Sequence, residues 1–142
     1  MGTLRRFDAT GTANAAATLT SGLTFSFPSS VPGATTPVLG NAGWVYATAN
    51  DGLVVATDQA LSVKWTKVLA PSLGGQVFAS PTLDCNRTRP GSGTGIHYFA
   101  TTTGWVVAYI TDSPGLDVNA PWPKYQHDAR NTGRVGLSVA CP

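Results

Sequence analysis

The sequence predicts an all-β protein made of four-stranded antiparallel sheets that repeat along the chain. Three observations carry this reading. Residues 43–56 (GWVYATANDGLVVA) recur without a gap as residues 95–108 (GIHYFATTTGWVVA), with Gly43, Tyr46, Gly52, Val54, Val55 and Ala56 matched by Gly95, Tyr98, Gly104, Val106, Val107 and Ala108. Each copy is an apolar run, a tight turn around a glycine and a second apolar run, the pattern of a β-hairpin. Charged residues make up 11% of the chain and none is Glu, against roughly 25% in ordinary soluble domains, and such a composition suits sheets more than helices. No segment holds apolar residues at a 3.6-residue period over three turns; the alanine run at 13–17 lacks a companion apolar face and is followed by Gly22.

The elements follow in order. Residues 4–8 (LRRFD) align with 54–58 (VVATD), and residues 23–27 (LTFSF) with 62–66 (SVKWT), so residues 1–33 read as the outer strands of a partial unit. Thr36-Pro37-Val38-Leu39 opens a complete four-stranded unit at 34–75, with its hairpin turn at Asp51-Gly52. Ser80-Pro81-Thr82-Leu83 opens a second at 76–120, with its turn at Thr103-Gly104 and a modified ending. Pro37 and Pro81 stand 44 residues apart and Gly52 and Gly104 stand 52 apart, close to the roughly 40–50 residues of a propeller blade. The difference falls in residues 84–94, a Gly/Pro/polar stretch that reads as an inserted surface loop. Residues 121–142 form a terminal strap. The expected architecture is thus two full propeller-type blades and part of a third, acting as one domain or as part of a larger propeller.

A net charge of +2 is too small and scattered to point to nucleic acid, and Arg5-Arg6, Arg87 and Arg89 read as solvated strand and loop ends. No apolar run is long enough to span a bilayer, and no leader is present in the chain. The only two cysteines, Cys85 in the inserted loop and Cys141 beside the C-terminus, lie in polar segments and are each other's sole intrachain candidates, so they are expected to form a disulfide. Their spacing fits neither a metal site nor a CxxC redox motif. Asn86-Arg87-Thr88 is a glycosylation sequon, meaningful only in a eukaryotic secretory host.

Several of these segments resemble the blade repeat of quinoprotein-type (PQQ-like) β-propellers: residues 36–40 (TPVLG), 43–46 (GWVY) and 50–58 (NDGLVVATD) with Trp65, and residues 4–11 (LRRFDATG) at the end of a third strand. Residues 121–133 (PWPKYQHDARNTG) are similar to a WPxxxHDxxxTG signature at the ends of such propellers in secreted bacterial proteins. The resemblance implies four-stranded blades set radially around a channel, often working as scaffolds. It does not carry catalysis over. Quinone dehydrogenases of the family use a calcium-binding acid, an Asp base, an Arg on the quinone and a vicinal disulfide, whereas this chain has no Glu and no adjacent Cys pair. No cofactor is expected.

Among residues with chemical potential, His127 and Asp128 with Arg130 could ligate a metal or move protons, but no nucleophile accompanies them, and a structural role docking the tail on the last blade is the better fit. His97 matches Val45 in the repeat and reads as a packing residue. Asp112, Asp117 and Asn119 around Ser113-Pro114-Gly115 could offer oxygens to Ca²⁺, yet such clusters are ordinary turn chemistry. Trp44, Trp105, Trp122 and Tyr125, with His127 and Asp128, are the candidate binding surface; Trp65 reads as packed between sheets.

The function expected is a non-catalytic structural or protein-interaction module of an exported bacterial propeller protein, extracellular, periplasmic or at the cell surface. Because two and a half blades leave an open arc, it should assemble with further blades or with copies of itself. The alternatives are a lectin-like propeller binding glycans through its aromatics, and a fragment of a quinoprotein-like dehydrogenase.

Overall fold

A computed structural model describes residues 2–7, 10–19, 35–68, 75–85, 93–128, 130–134 and 136–139. Apart from one 3-10 turn at Asn41–Gly43, their regular structure is all β, in three antiparallel sheets of two, four and three strands. β1 (Gly2–Phe7) pairs with β2 (Ala13–Leu19). The four-stranded sheet runs in chain order through β3 (Val38–Gly40), β4 (Trp44–Thr48), β5 (Leu53–Thr57) and β6 (Val63–Val68). The three-stranded sheet is β7 (Thr82–Leu83), β8 (Ile96–Ala100) and β9 (Val106–Ile110). Each inner strand, β3 and β7, begins just after a proline, which has no N–H to give a ladder.

The repeat holds down to single hydrogen bonds. Ala49 N donates to Leu53 O at 2.8 Å and Gly52 N to Ala49 O at 3.0 Å; 52 residues on, Thr101 N donates to Trp105 O at 2.9 Å and Gly104 N to Thr101 O at 3.1 Å. Gly52 and Gly104 take φ of 80° and 89°, a left-handed conformation that costs glycine nothing and closes both hairpins. Thr36 and Ser80, equivalent residues before the two prolines, bond to each other, Ser80 Oγ donating to Thr36 Oγ1 at 3.1 Å.

The N-terminal pair belongs to the same repeat. A register shift lies between Arg6 and Phe7 in β1 and between Ala56 and Thr57 in β5, 50 residues apart. Their partners keep that spacing: Ala15 and Ala13 stand opposite in β2 where Trp65 and Val63 stand in β6. Gly11 and Leu61, also 50 apart, both take positive φ in the connecting turn. The strand after β1 is therefore residues 13–19, not the expected 23–27, which lie outside the described residues. The alanine run, short of bulk for a core, suffices for a strand because the backbone ladder and turn chemistry place it.

The second complete unit departs from the expected four strands. Where β5 leads through the turn at Asp58 into β6, β9 leads into Thr111 and then Asp112-Ser113-Pro114-Gly115. Thr111 N donates to Gly95 O at 2.9 Å, and Ser113 Oγ donates to Gly115 O at 2.8 Å. Pro114 has no N–H and turns the chain away from β9, so the third sheet ends on β9. The described residues form no closed ring.

The four- and three-stranded sheets stack face to face. Val54, Val77 and Phe99 form one buried cluster with Trp65, Val107 and Tyr109 against it; Val38, Tyr46, Ala56, Leu83 and Leu116 form another. On its other face the four-stranded sheet buries Ala47, Ala49, Leu53 and Val55. No helix among the described residues is long and apolar enough to cross a membrane. No disulfide joins two described residues: Cys85 packs at the margin of the core and is not a free thiol, while Cys141, its expected partner, lies outside them. The Asn86 sequon, with Arg87 and Arg89, also lies outside the described residues.

Candidate functional site

Past β9 the chain crosses the inner edges of both large sheets. Asn41 N donates to Gly115 O at 2.9 Å, Asp117 N to Leu39 O at 2.9 Å and Leu39 N to Pro123 O at 2.7 Å, so this segment occupies the free edge of β3. Leu116 N donates to Asp84 O at 2.8 Å, tying in the end of β7. A Cβ on Gly40 would lie 2.8 Å from Ser113 Cβ, so only glycine permits this approach. Residues 115–117 thus bridge the two complete units, and the strap itself bonds to β3 of the first through Pro123 O.

The strap closes on itself around Lys124. Its Nζ donates to Tyr125 O at 2.9 Å, Asp128 O at 3.1 Å and Asn131 Oδ1 at 2.7 Å, which uses all three ammonium protons. Burial lowers the Lys124 pKa, with the Asp128 charge opposing. Asp128 Oδ1 accepts from Thr132 N and Arg130 N, each at 3.0 Å, and Oδ2 accepts from Thr132 Oγ1 at 3.1 Å. The Thr132 backbone N–H, then its hydroxyl and the Arg130 N–H, hold the Asp128 carboxyl below its ordinary range. His127 Nδ1 lies 3.9 Å from Asp128 Oδ2, and its ring meets the edge of Trp122 at 5.2 Å. Both oxygens of Asp128 are engaged in holding turns, which is structural work.

His127 and Asp128 are each 1% exposed, so they form the interior of the strap and not the surface expected of them. Trp105, Trp122 and Tyr125 are about half exposed but stand apart. Tyr125 and Lys124 line a groove of about 730 Å³ with Phe78, Ser80 and Gln126. Trp44 is stacked on Tyr46, their rings 6.0 Å apart and 12° from parallel. It lines a different cleft of about 480 Å³ with Arg6, Gln59, Leu61, Asp117 and Pro121. Trp105 stands at the tip of the β8–β9 hairpin. No group of three or more His, Cys, Asp or Glu among the described residues could hold a metal. Asp117 Oδ1 instead accepts from Asn119 N at 3.0 Å, and Asp112 Oδ2 from Trp65 Nε1 at 2.6 Å.

His97 sits between the sheets, fully buried, with Nδ1 2.9 Å from Tyr109 Oη and rings of Tyr46, Phe99 and Tyr109 around it. Burial pushes its pKa down to about 4, so the imidazole is neutral and packs as an aromatic. Burial likewise pushes Tyr46 up to about 12 and raises Tyr109 further.

Among the described residues, the large apolar side chain most exposed lies on β9, the last strand of the three-stranded sheet. On β9, Val106 is 72% exposed and Ile110 55%, and Ala108 between them is exposed too. Val107 and Tyr109, the alternate residues, pack toward the neighbouring sheet. β6 is also an edge, but it carries Lys64 and Lys67, charges that blunt pairing with other chains; β9 carries none. Sequence reasoning missed Lys124 as the centre of the strap, since a lone lysine between aromatics reads as surface charge. Comparison with family models, curated proteins and solved structures gives no match to this chain.

Proposed function

We propose that this chain is a non-catalytic assembly module of the propeller type, from an exported bacterial protein, whose end sheet joins further blades or copies. The observation that carries this reading is β9, an uncharged edge strand with an apolar outer face, in a unit one strand short of its neighbour. Burying several hundred Å² there at roughly 25 cal/mol per Å² favours association by several kcal/mol before the cost of lost freedom. The proposed Cys85–Cys141 bond ties the tail to the inserted loop and suits an oxidising compartment. Light scattering on the purified protein tests the reading. A particle heavier than the 14.7 kDa chain at micromolar concentration is expected, and a folded monomer at all concentrations contradicts it.

A second reading, glycan binding, draws on the Trp44 cleft, where an aromatic wall faces polar Arg6, Gln59 and Asp117. Aromatic faces stack on sugar rings while such polar groups bond hydroxyls. A glycan array on the assembled protein, with Trp44→Ala as control, decides it: no signal above that control removes the reading.

A further inference from the structure

The covered face of the four-stranded sheet shows what the end sheet is built to receive. Tyr46, Val54 and Ala56 on that face are 0% exposed because β7–β9 packs over them. Displaced by 52 residues, the same three side chains recur as Tyr98, Val106 and Ala108 on the outer face of β7–β9. There no described sheet covers them: Tyr98 is half-buried, Ala108 exposed and Val106 72% exposed. Solvent contact alone calls for polar residues in a strand's outward positions, and here the buried set is kept instead.

Near its other end the chain carries an exposed apolar side chain, Phe7, on the strand side it shares with Arg5. The 50-residue correspondence places Arg6 at the position of Ala56 and Phe7 at that of Thr57. Arg6 reaches toward the four-stranded sheet, its Nη1 donating to Gln59 O at 2.7 Å. Phe7, the next residue of the strand, faces the opposite way and is 57% exposed. It stands on the side that, in β7–β9, meets the preceding sheet through Val107 and Tyr109. The sheet β7–β9 therefore presents the face that a following sheet covers in its neighbour, and β1 presents a large apolar side chain at the repeat position whose counterpart Tyr109 meets a preceding sheet.

We propose that copies of this chain associate head to tail, the Phe7 face of one copy lying on the Tyr98, Val106 and Ala108 face of the next, in the manner of the sheet-on-sheet contact inside each copy. This rests on the assembly reading above and specifies its partner and its two surfaces. The contact is heterologous, so it closes into a ring or runs on as a filament according to the rotation between copies.

Two variants test it by sedimentation, each confirmed folded by its near-ultraviolet circular dichroism. Val106→Lys blocks one end and Phe7→Lys the other; each alone should weaken association roughly 10- to 100-fold, the effect of one buried apolar side chain. Mixed in equal amounts, the two keep one intact end of each kind and should form pairs of twice the 14.7 kDa chain mass, and no larger particle. If a lysine variant loses its near-ultraviolet signal, Val106→Thr and Phe7→Ser replace the pair with the same expectation. Association by Phe7→Lys alone with loss only in Val106→Lys means a symmetric contact and overturns the proposal while leaving the assembly reading intact. Unchanged association of both variants does the same. A folded wild-type monomer at every concentration removes both.

Discussion

Gly104 isolates the cost of backbone conformation from that of packing. Its φ is 89° and a Cβ built there meets nothing within 4 Å. Gly104→Ala should therefore destabilise by about 1 kcal/mol through the left-handed conformation alone, lowering the melting temperature by a few degrees with the fold unchanged. His97 makes the second residue-scale prediction. Its folded pKa of about 4 lies below the ordinary 6.5, so the unfolded chain binds the proton more readily. The stability due to neutral His97 is whole above about pH 6.5 and is lost as pH falls toward 4, a loss approaching about 3 kcal/mol. Denaturant midpoints measured between pH 7 and 4 should fall accordingly, and His97→Leu should flatten that slope even though it deprives Tyr109 of a partner.

At the level of elements, the hairpins were legible because Asp51-Gly52 and Thr103-Gly104 sit between alternating apolar runs, and a glycine at the left-handed position speaks directly in sequence. β2 was not. Its alanines carry no amphipathic signal, and the more apolar LTFSF segment drew the alignment away; only the recurring register shift and the paired positive φ of Gly11 and Leu61 reveal the 50-residue spacing. The missing fourth strand after β9 depends on Pro114 and on a serine-held turn packed against Gly40, a long-range contact that local patterns do not encode. Lys124 as the centre of the strap was not legible either, because its three acceptors are brought round it by turns that no local pattern encodes. Lys124→Met should leave Tyr125 O, Asp128 O and Asn131 Oδ1 without their donor, costing roughly 1–3 kcal/mol. Limited proteolysis should cleave that variant within 121–134 well before wild type. Reduction of the proposed Cys85–Cys141 bond should cost about 2–4 kcal/mol, read as a lower denaturation midpoint in dithiothreitol; an unchanged midpoint, or two thiols alkylated without reductant, would exclude the bond.

At the largest scale, the four- and three-stranded sheets bury each other, and the outer face of β7–β9 keeps exposed apolar side chains. The repeat aligns Val54 with Val106, but the surface that matters emerges only when the two are found at 0% and 72% exposure. The edge of β3 is covered by residues 115–117 and by Pro123 of the strap, and β6 carries lysines, which leaves β9 and its apolar face as the place where another sheet belongs. Side-chain footprinting by hydroxyl radicals tests this most directly, with Val63 of β6, 48% exposed, as the internal reference. Raising the protein from nanomolar to micromolar concentration should protect the outward side chains of β9, Val106 and Ile110, and leave Val63 unchanged. Oxidation of Val106 and Ile110 that is equally fast at both concentrations, in a protein otherwise folded, would contradict the account.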